Sequence, residues 1–424
     1  MKTSIVTRSA AATKAHASKN LSTKLSNGLQ VISKERSGAV SQLVLAFRAG
    51  SRYQSDKQSG LVHHIRNFVG RDTSKYPGIS VVWSSAAIGA NLTSFSTRDV
   101  FGVQMTVNRD HTDTALSILG HVASQPAFKA WEFEDVIPSV KSDLAFKNSY
   151  DYVLEGIHSA AFRQGSLANS IYAKRGEIGI YKSDDLNGFA SKHFVSGNGV
   201  IVGINTNSQS LQHYADELLP INDGSNVVLS ESPYKGGDFR RSGKGNDAHI
   251  ILAGNGAAIN DTNALAVQAV FLSHIGRVSP LKFATLPGLS SGLSKLPFGV
   301  AGSAFHASYE QAGLVGVYLL ANGENANAAV KSAFNILKSP KIEDLEGSKR
   351  RAIAEIETNY ADGANEAIQR AIIALGKGPG RNALIESIKK VSASDITQFA
   401  QKAFAKPSLA SYGAISQIPY VDEL

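Results

Sequence analysis

The chain of 424 residues has no cysteine. That excludes a disulfide framework, thiolate metal ligands and a cysteine nucleophile together. It also lacks any run approaching the ~18 or more consecutive apolar residues that a membrane-spanning helix requires. The apolar runs present, such as 199–204 and 313–320, have strand length and are interrupted by glycine. No G-x-x-x-x-G-K-[ST] phosphate loop occurs, and no basic run is interleaved with aromatic residues, so nothing marks a nucleic-acid partner. What is present describes a globular chain: 43% hydrophobic and 18% charged residues. At this length two domains are expected rather than one core.

Acidic residues are missing from the first 34 positions, while Lys2, Arg8, Lys14, Lys19, Lys24 and Lys34 stand there among serines, threonines and alanines. A basic, hydroxyl-rich, acid-free N-terminus has the make-up of a mitochondrial transit peptide, attracted to anionic membrane and a negative-inside potential. Removal of residues 1–16 would take Lys2, Arg8 and Lys14 and lower the net charge from +8 to +5.

The remainder reads as a duplication. Residues 25–32 carry a strand pattern around the Asn27-Gly28 turn signal, and Leu43–Phe47 forms a buried strand. Ile250–Gly254 holds the matching place in the second half. A polar loop and a helical pattern follow each, ending in Phe68-Val69-Gly70 and His274-Ile275-Gly276. Ser94-Phe95 with Phe101-Gly102-Val103 is matched to Ser308-Tyr309 with Val315-Gly316-Val317. Each strand pair leads into an amphipathic helix. One has Ala326, Val330, Ala333, Phe334 and Leu337 on one face; the other has Leu116, Leu119 and Val122, with Asp113 as its N-cap. Turn and breaker residues between Asn222 and Lys235 place the boundary. The expected organisation is an N-terminal domain over 17–222, a linker over 223–234 and a C-terminal domain over 235–424. Irregularly mixed strands and helices give an α+β class, an α/β sandwich in each half.

The segment that should carry chemistry is GLVHHIRNFVG, residues 60–70. It resembles the helix on which pitrilysin-type zinc peptidases, the family that includes the mitochondrial processing peptidases, carry an inverted signature, H-x-x-E-H. The resemblance places the first histidine on His63, the glutamate on Arg66 and the second histidine on Asn67. Two imidazoles on one helical face hold the zinc, and the glutamate deprotonates its bound water. Arg66 can do neither job, because its guanidinium stays protonated and would sit beside the cation. Asn67 offers a poor ligand, and His64 points about 100° away from His63. The family's third ligand comes from a downstream helix. Reading that helix through 131–141 puts the position on Val140 or Lys141, with Asp143 nearby but out of place. The expectation is a dead centre: no catalytic residue, metal or cofactor, and His63 a hydrogen-bonded structural residue.

Segments 158–172, 234–240, 305–316 and 419–424 resemble, in order, the non-catalytic branch formed by the core subunits of complex III. That resemblance implies two homologous pitrilysin-like domains. It also implies a peripheral, matrix-side position at the mitochondrial inner membrane. The partners implied are core protein 1, cytochrome b, cytochrome c1 and the Rieske protein. The alternative is the non-catalytic, substrate-recognising alpha subunit of the processing peptidase. Against it stands the thin glycine stretch Gly288, Gly292, Gly299 and Gly302, which suits a connecting loop better than a substrate handle.

Overall fold

The computed structural model describes residues 20–229, 231–277 and 291–424. The transit-peptide segment 1–16 and Gly288 lie outside them; Gly292 opens a short 3-10 turn and Gly302 belongs to a strand.

Each half builds one sheet. The first contains β1 (Asn20–Lys24), β2 (Gln30–Lys34), β3 (Val40–Phe47), β4 (Asn91–Ser96), β5 (Phe101–Asn108) and β6 (Gly199–Ile204), in the order β1-β2-β6-β3-β5-β4. The second contains β7 (Gly237–Ser242), β8 (Asp247–Gly256), β9 (Ala301–Ser308), β10 (Gly313–Asn322) and β11 (Ser408–Gly413), in the order β7-β11-β8-β10-β9. Without β1 the two orders are the same. The one parallel pair, β2 with β6 and β7 with β11, falls at the same place in both. The β1–β2 turn forms where the Asn-Gly signal stands: Gly28 has φ +91°, and the Asn27 side chain accepts from the Leu29 N–H at 3.1 Å.

Strand register corrects one matched pair of the duplication. Gly102 faces Ala46 on one side and Phe95 on the other; Gly316 faces Ala253 and Phe305. Phe95 therefore corresponds to Phe305, not Tyr309, which lies beyond the end of β9. The two glycines do correspond. A Cβ on Gly102 would run into the Phe95 ring, and one on Gly316 into the Leu252 carbonyl.

Thirteen helices accompany the sheets among the described residues. Those of the first half are α1 (Leu61–Asn67), α2 (Gly78–Ala87), α3 (Thr112–Ser124), α4 (Phe133–Ala145), α5 (Ser149–Phe162), α6 (Ser183–His193) and α7 (Ser208–His213). Those of the second are α8 (Thr262–Ile275), α9 (Ala326–Lys338), α10 (Leu345–Asn359), α11 (Gly363–Leu375), α12 (Arg381–Lys390) and α13 (Ala393–Ala403). Leu116, Leu119 and Val122 of α3 are buried as the pattern predicts. Asp113 is not the cap: His111 precedes the helix, and Asp113 sits in the first turn, where its charge suits the helix dipole.

The two halves exchange helices. Leu43, Leu45 and Phe47 of β3 point into a core with α1, α3 and α6, while Val44 and Ala46 point the other way. There they meet Ala367, Ala371 and Leu375 of α11, a helix of the second half. In the second sheet Ile250 and Leu252 face α8, α9 and α13, whereas Ile251 and Ala253 meet Val153, Ile157 and Ala161 of α5, from the first half. Side chains alternate along a strand, so strands covered on both faces read as continuous apolar runs.

Charge reinforces the exchange. Glu366 of α11, fully buried, takes Lys34 at 2.9 Å and Arg370 at 2.8 Å, and also pairs with Arg36. At the other crossing the Tyr309 hydroxyl donates to His158 Nε2 at 2.7 Å, and Arg98 holds Glu155 of the same helix at 2.9 Å from within the first half.

Candidate functional site

Helix α1 starts where Gly60 turns left-handed at φ +79°. A Cβ there would clash with Ala173 at 2.5 Å, so only glycine lets the segment around 173 close over the helix. The free N–H of Leu61 donates to Gln54 Oε1 at 2.8 Å. His63 and His64 are both fully buried.

Every position of the broken signature converges on one oxygen. Asp143 Oδ2, on α4, accepts from His63 Nε2 at 3.0 Å, from Arg66 at 2.5 Å and from Asn67 Nδ2 at 3.1 Å. Asn67 also donates to the His63 carbonyl at 3.0 Å. This overturns the expected register: Asp143, not Val140 or Lys141, faces the motif. Val140 is buried in the core and Lys141 is exposed. The sequence held the signal, since Val136, Val140 and Asp143 stand at i, i+4 and i+7 on one helical face.

The electrostatics fix the protonation states. His63 Nδ1 accepts the Ala173 N–H at 3.2 Å, so its proton sits on Nε2, pointing at Asp143. Burial, with the Arg66 charge in support, pushes this imidazole down to about 4 and keeps it neutral. Burial acts to raise Asp143, but the hydrogen bonds from Asn67 and Arg66 and the Arg66 charge outweigh it, and the carboxyl lies below its usual range. His64 is spent as well: its Nδ1–H donates to the Gly60 carbonyl at 2.8 Å and its Nε2 accepts the Gly179 N–H at 3.3 Å.

These residues do not fit a divalent cation. His63 has one nitrogen capped by a backbone donor and the other carrying a proton, so no lone pair is free. Asp143 already takes three donors through one oxygen, and one of them is the Arg66 guanidinium, whose charge repels a cation. Among the described residues no group of three or more histidines and carboxylates is arranged to hold a metal ion. Nor is there a general base in the glutamate's place, since Arg66 accepts no proton. No helix among the described residues is long and apolar enough to cross a membrane.

Fold and site together define an α+β scaffold, pitrilysin-like in both halves, with an Arg66–Asp143 ion pair between α1 and α4. Residues 30–175 match the family model of insulinase, peptidase family M16. Across nearly its whole length the chain is similar to a particular branch. It is 28% identical to the cytochrome b-c1 complex subunit 2, mitochondrial, of Homo sapiens, over 95% of this chain and 91% of that protein. It is 27% identical to the protein of the same name from Mus musculus, with the same coverage. The mitochondrial-processing peptidase subunit alpha of Solanum tuberosum is 24% identical, over 94% of this chain and 83% of that protein.

Proposed function

We propose that this chain is a structural core subunit of the mitochondrial cytochrome b-c1 complex, supporting its assembly and stability in the respiratory chain without hydrolysing peptides. The likeness to cytochrome b-c1 complex subunit 2 along 95% of the chain carries the reading. The Arg66–Asp143 ion pair supports the loss of activity, because it occupies the place of both metal and base. In this reading residues 1–16 direct import, 17–222 and 235–424 form the two units, and 223–234 join them. The chain sits peripherally on the matrix side of the inner membrane, beside core protein 1, cytochrome b, cytochrome c1 and the Rieske protein.

The processing-peptidase alpha subunit is the competing reading, with relatives at lower identity. Native-gel separation of mitochondria that carry the tagged chain decides between them. Comigration with cytochromes b and c1 in equal amount is expected; a matrix heterodimer that cleaves presequences would overturn the assignment. Metal analysis of the purified chain should find far less than one zinc per molecule.

A further inference from the structure

The pseudo-symmetry of the two sheets breaks at one edge. In the first half β2 pairs in parallel with β6 on one side and antiparallel with β1 on the other, Asn20–Lys24 lying against Gln30–Lys34. Its counterpart β7 pairs in parallel with β11 and ends the sheet. No hairpin strand precedes it. The chain reaches β7 from α5, where the Lys235 and Gly236 N–H groups both donate to the Ala161 carbonyl. Among the described residues no backbone hydrogen bond joins β7 to any element but β11.

In a parallel pair each residue turns its N–H and C=O to the same side, and successive residues alternate. The Ser411 hydroxyl donates to the Phe239 carbonyl at 3.4 Å, and the Gly243 N–H donates to the Gly413 carbonyl at 3.1 Å, so the odd-numbered residues face β11. The N–H and C=O groups of Asp238, Arg240 and Ser242 therefore point out of the sheet. Free edges are ordinarily blunted by proline, a bulge or projecting lysine. Within β7 there is none: its six residues run in unbroken register with β11. Its arginines are bound back onto the fold. Arg240 pairs with Asp238 at 3.1 Å and donates to the Ile418 carbonyl at 2.9 Å, and Arg241 lies over the Tyr152 ring at 4.5 Å.

We propose that an extended segment of another subunit of the complex pairs antiparallel with β7, as β1 pairs with β2. The inference rests on the functional reading above. Main-chain hydrogen bonds hold such a segment, and its alternate side chains meet the two faces of the sheet. One face presents Phe239 and Arg241 beside α5; the other presents Arg240 beneath the Tyr420 ring. A second copy of this chain fits worse. Full-length antiparallel self-pairing would set Asp238 against Ser242 and Arg240 against Arg240, like charges directly opposite.

Hydrogen exchange read residue by residue tests the pairing. The Asp238, Arg240 and Ser242 amides should exchange freely in the purified chain and about tenfold slower or more in the assembled complex. The Phe239 and Arg241 amides, which face β11, should be protected in both. A photoreactive amino acid at position 242 should crosslink to a segment of a different subunit. Ser242→Pro removes an outward donor at an edge position, where the fold tolerates proline, so it should melt within about 2 °C of the parent. Its incorporation into the complex should fall by about tenfold, whereas Ser242→Ala should incorporate like the parent. Outward amides that exchange equally fast in chain and complex would overturn the proposal. So would crosslinks to lipid, to a second copy or to this chain alone, or a Ser242→Pro variant that incorporates normally. A parent chain that fails to comigrate with cytochromes b and c1 sinks the functional reading and this inference together; one that comigrates with its outward amides unprotected sinks this inference alone.

Discussion

Removing the Asp143 carboxylate by Asp143→Ala strands three donors at once. The His63 ring is fully buried and cannot turn its Nε2–H to water, whereas Arg66, 23% exposed, resolvates in part. A buried donor left unpaired costs ~1–3 kcal/mol, and charge-assisted bonds are worth more than neutral ones. Asp143 is itself 34% exposed, so the Arg66 contribution is discounted for screening. The sum is about 2–4 kcal/mol, or roughly 5–10 °C in Tm for a cooperative unit of ~200 residues. Asp143→Asn should cost less, because it keeps an acceptor oxygen and loses only the charge. Thermal melts with and without a strong chelator supply the assay. A variant within a degree of the parent, or a parent destabilised by chelation, would refute the claim that an ion pair stands where a metal ion would.

Acid should weaken the fold well above the carboxylate range. Burial holds His63 and His193 at about 4 and His158 well below 6.5, so between pH 6.5 and 4 the unfolded chain takes up protons that the folded chain refuses. Stability is thus present above pH 6.5 and lost as pH falls through that window; equal urea midpoints at pH 7 and 5 would contradict it. Glu366→Ala leaves Lys34, Arg36 and Arg370 around an uncompensated site and should cost ~3–5 kcal/mol, read as an earlier urea midpoint. Residues 20–229 and 231–424 expressed apart should each lack cooperative melting, and coexpression should restore it; a sharp transition in either alone would show that the exchanged helices are dispensable. Arg66→Glu with Asn67→His places two imidazoles and Asp143 together, so stoichiometric zinc uptake is expected by metal analysis, and no uptake would mean that Asp143 does not face the motif.

Much of this structure was legible in residue patterns. Leu43–Phe47 and Ile250–Gly254 announced paired central strands, and the α3 and α9 stripes fell where their spacing put them. The expectation of an inactive centre rested chiefly on Arg66, since a permanent cation cannot activate water. Three readings failed for separate physical reasons. Tyr309 was matched to Phe95 by composition, whereas register is set by hydrogen bonding across β10. Asp113 was read as a cap from its type, though the preceding turn Arg109–His111 already starts the helix. A helix read through 131–141 sets the third-ligand position on Val140 or Lys141, whereas α4 spans Phe133–Ala145 and turns Asp143 to the motif. The helix exchange had no local signature. An apolar strand run states that both faces are covered, not which helix covers them.

That exchange shows how the fold closes without relying on a metal centre. The second half builds the same strand order on α8, where the corresponding turns bury Ala266, Val270 and Phe271 in place of any ligand set. Its sheet is held by apolar packing and by α5, so the architecture does not need a metal in order to close. In the first half a metal would join α1 to α4; Arg66, Asn67 and His63 join the same helices through Asp143 with one carboxylate. Arg66 carries the positive charge that the cation would have brought, and it brings no Lewis acidity. Selection for assembly alone would preserve the link between the helices and relax everything that polarises a peptide bond. The Asp143 oxygen shared by all three donors carries that link here.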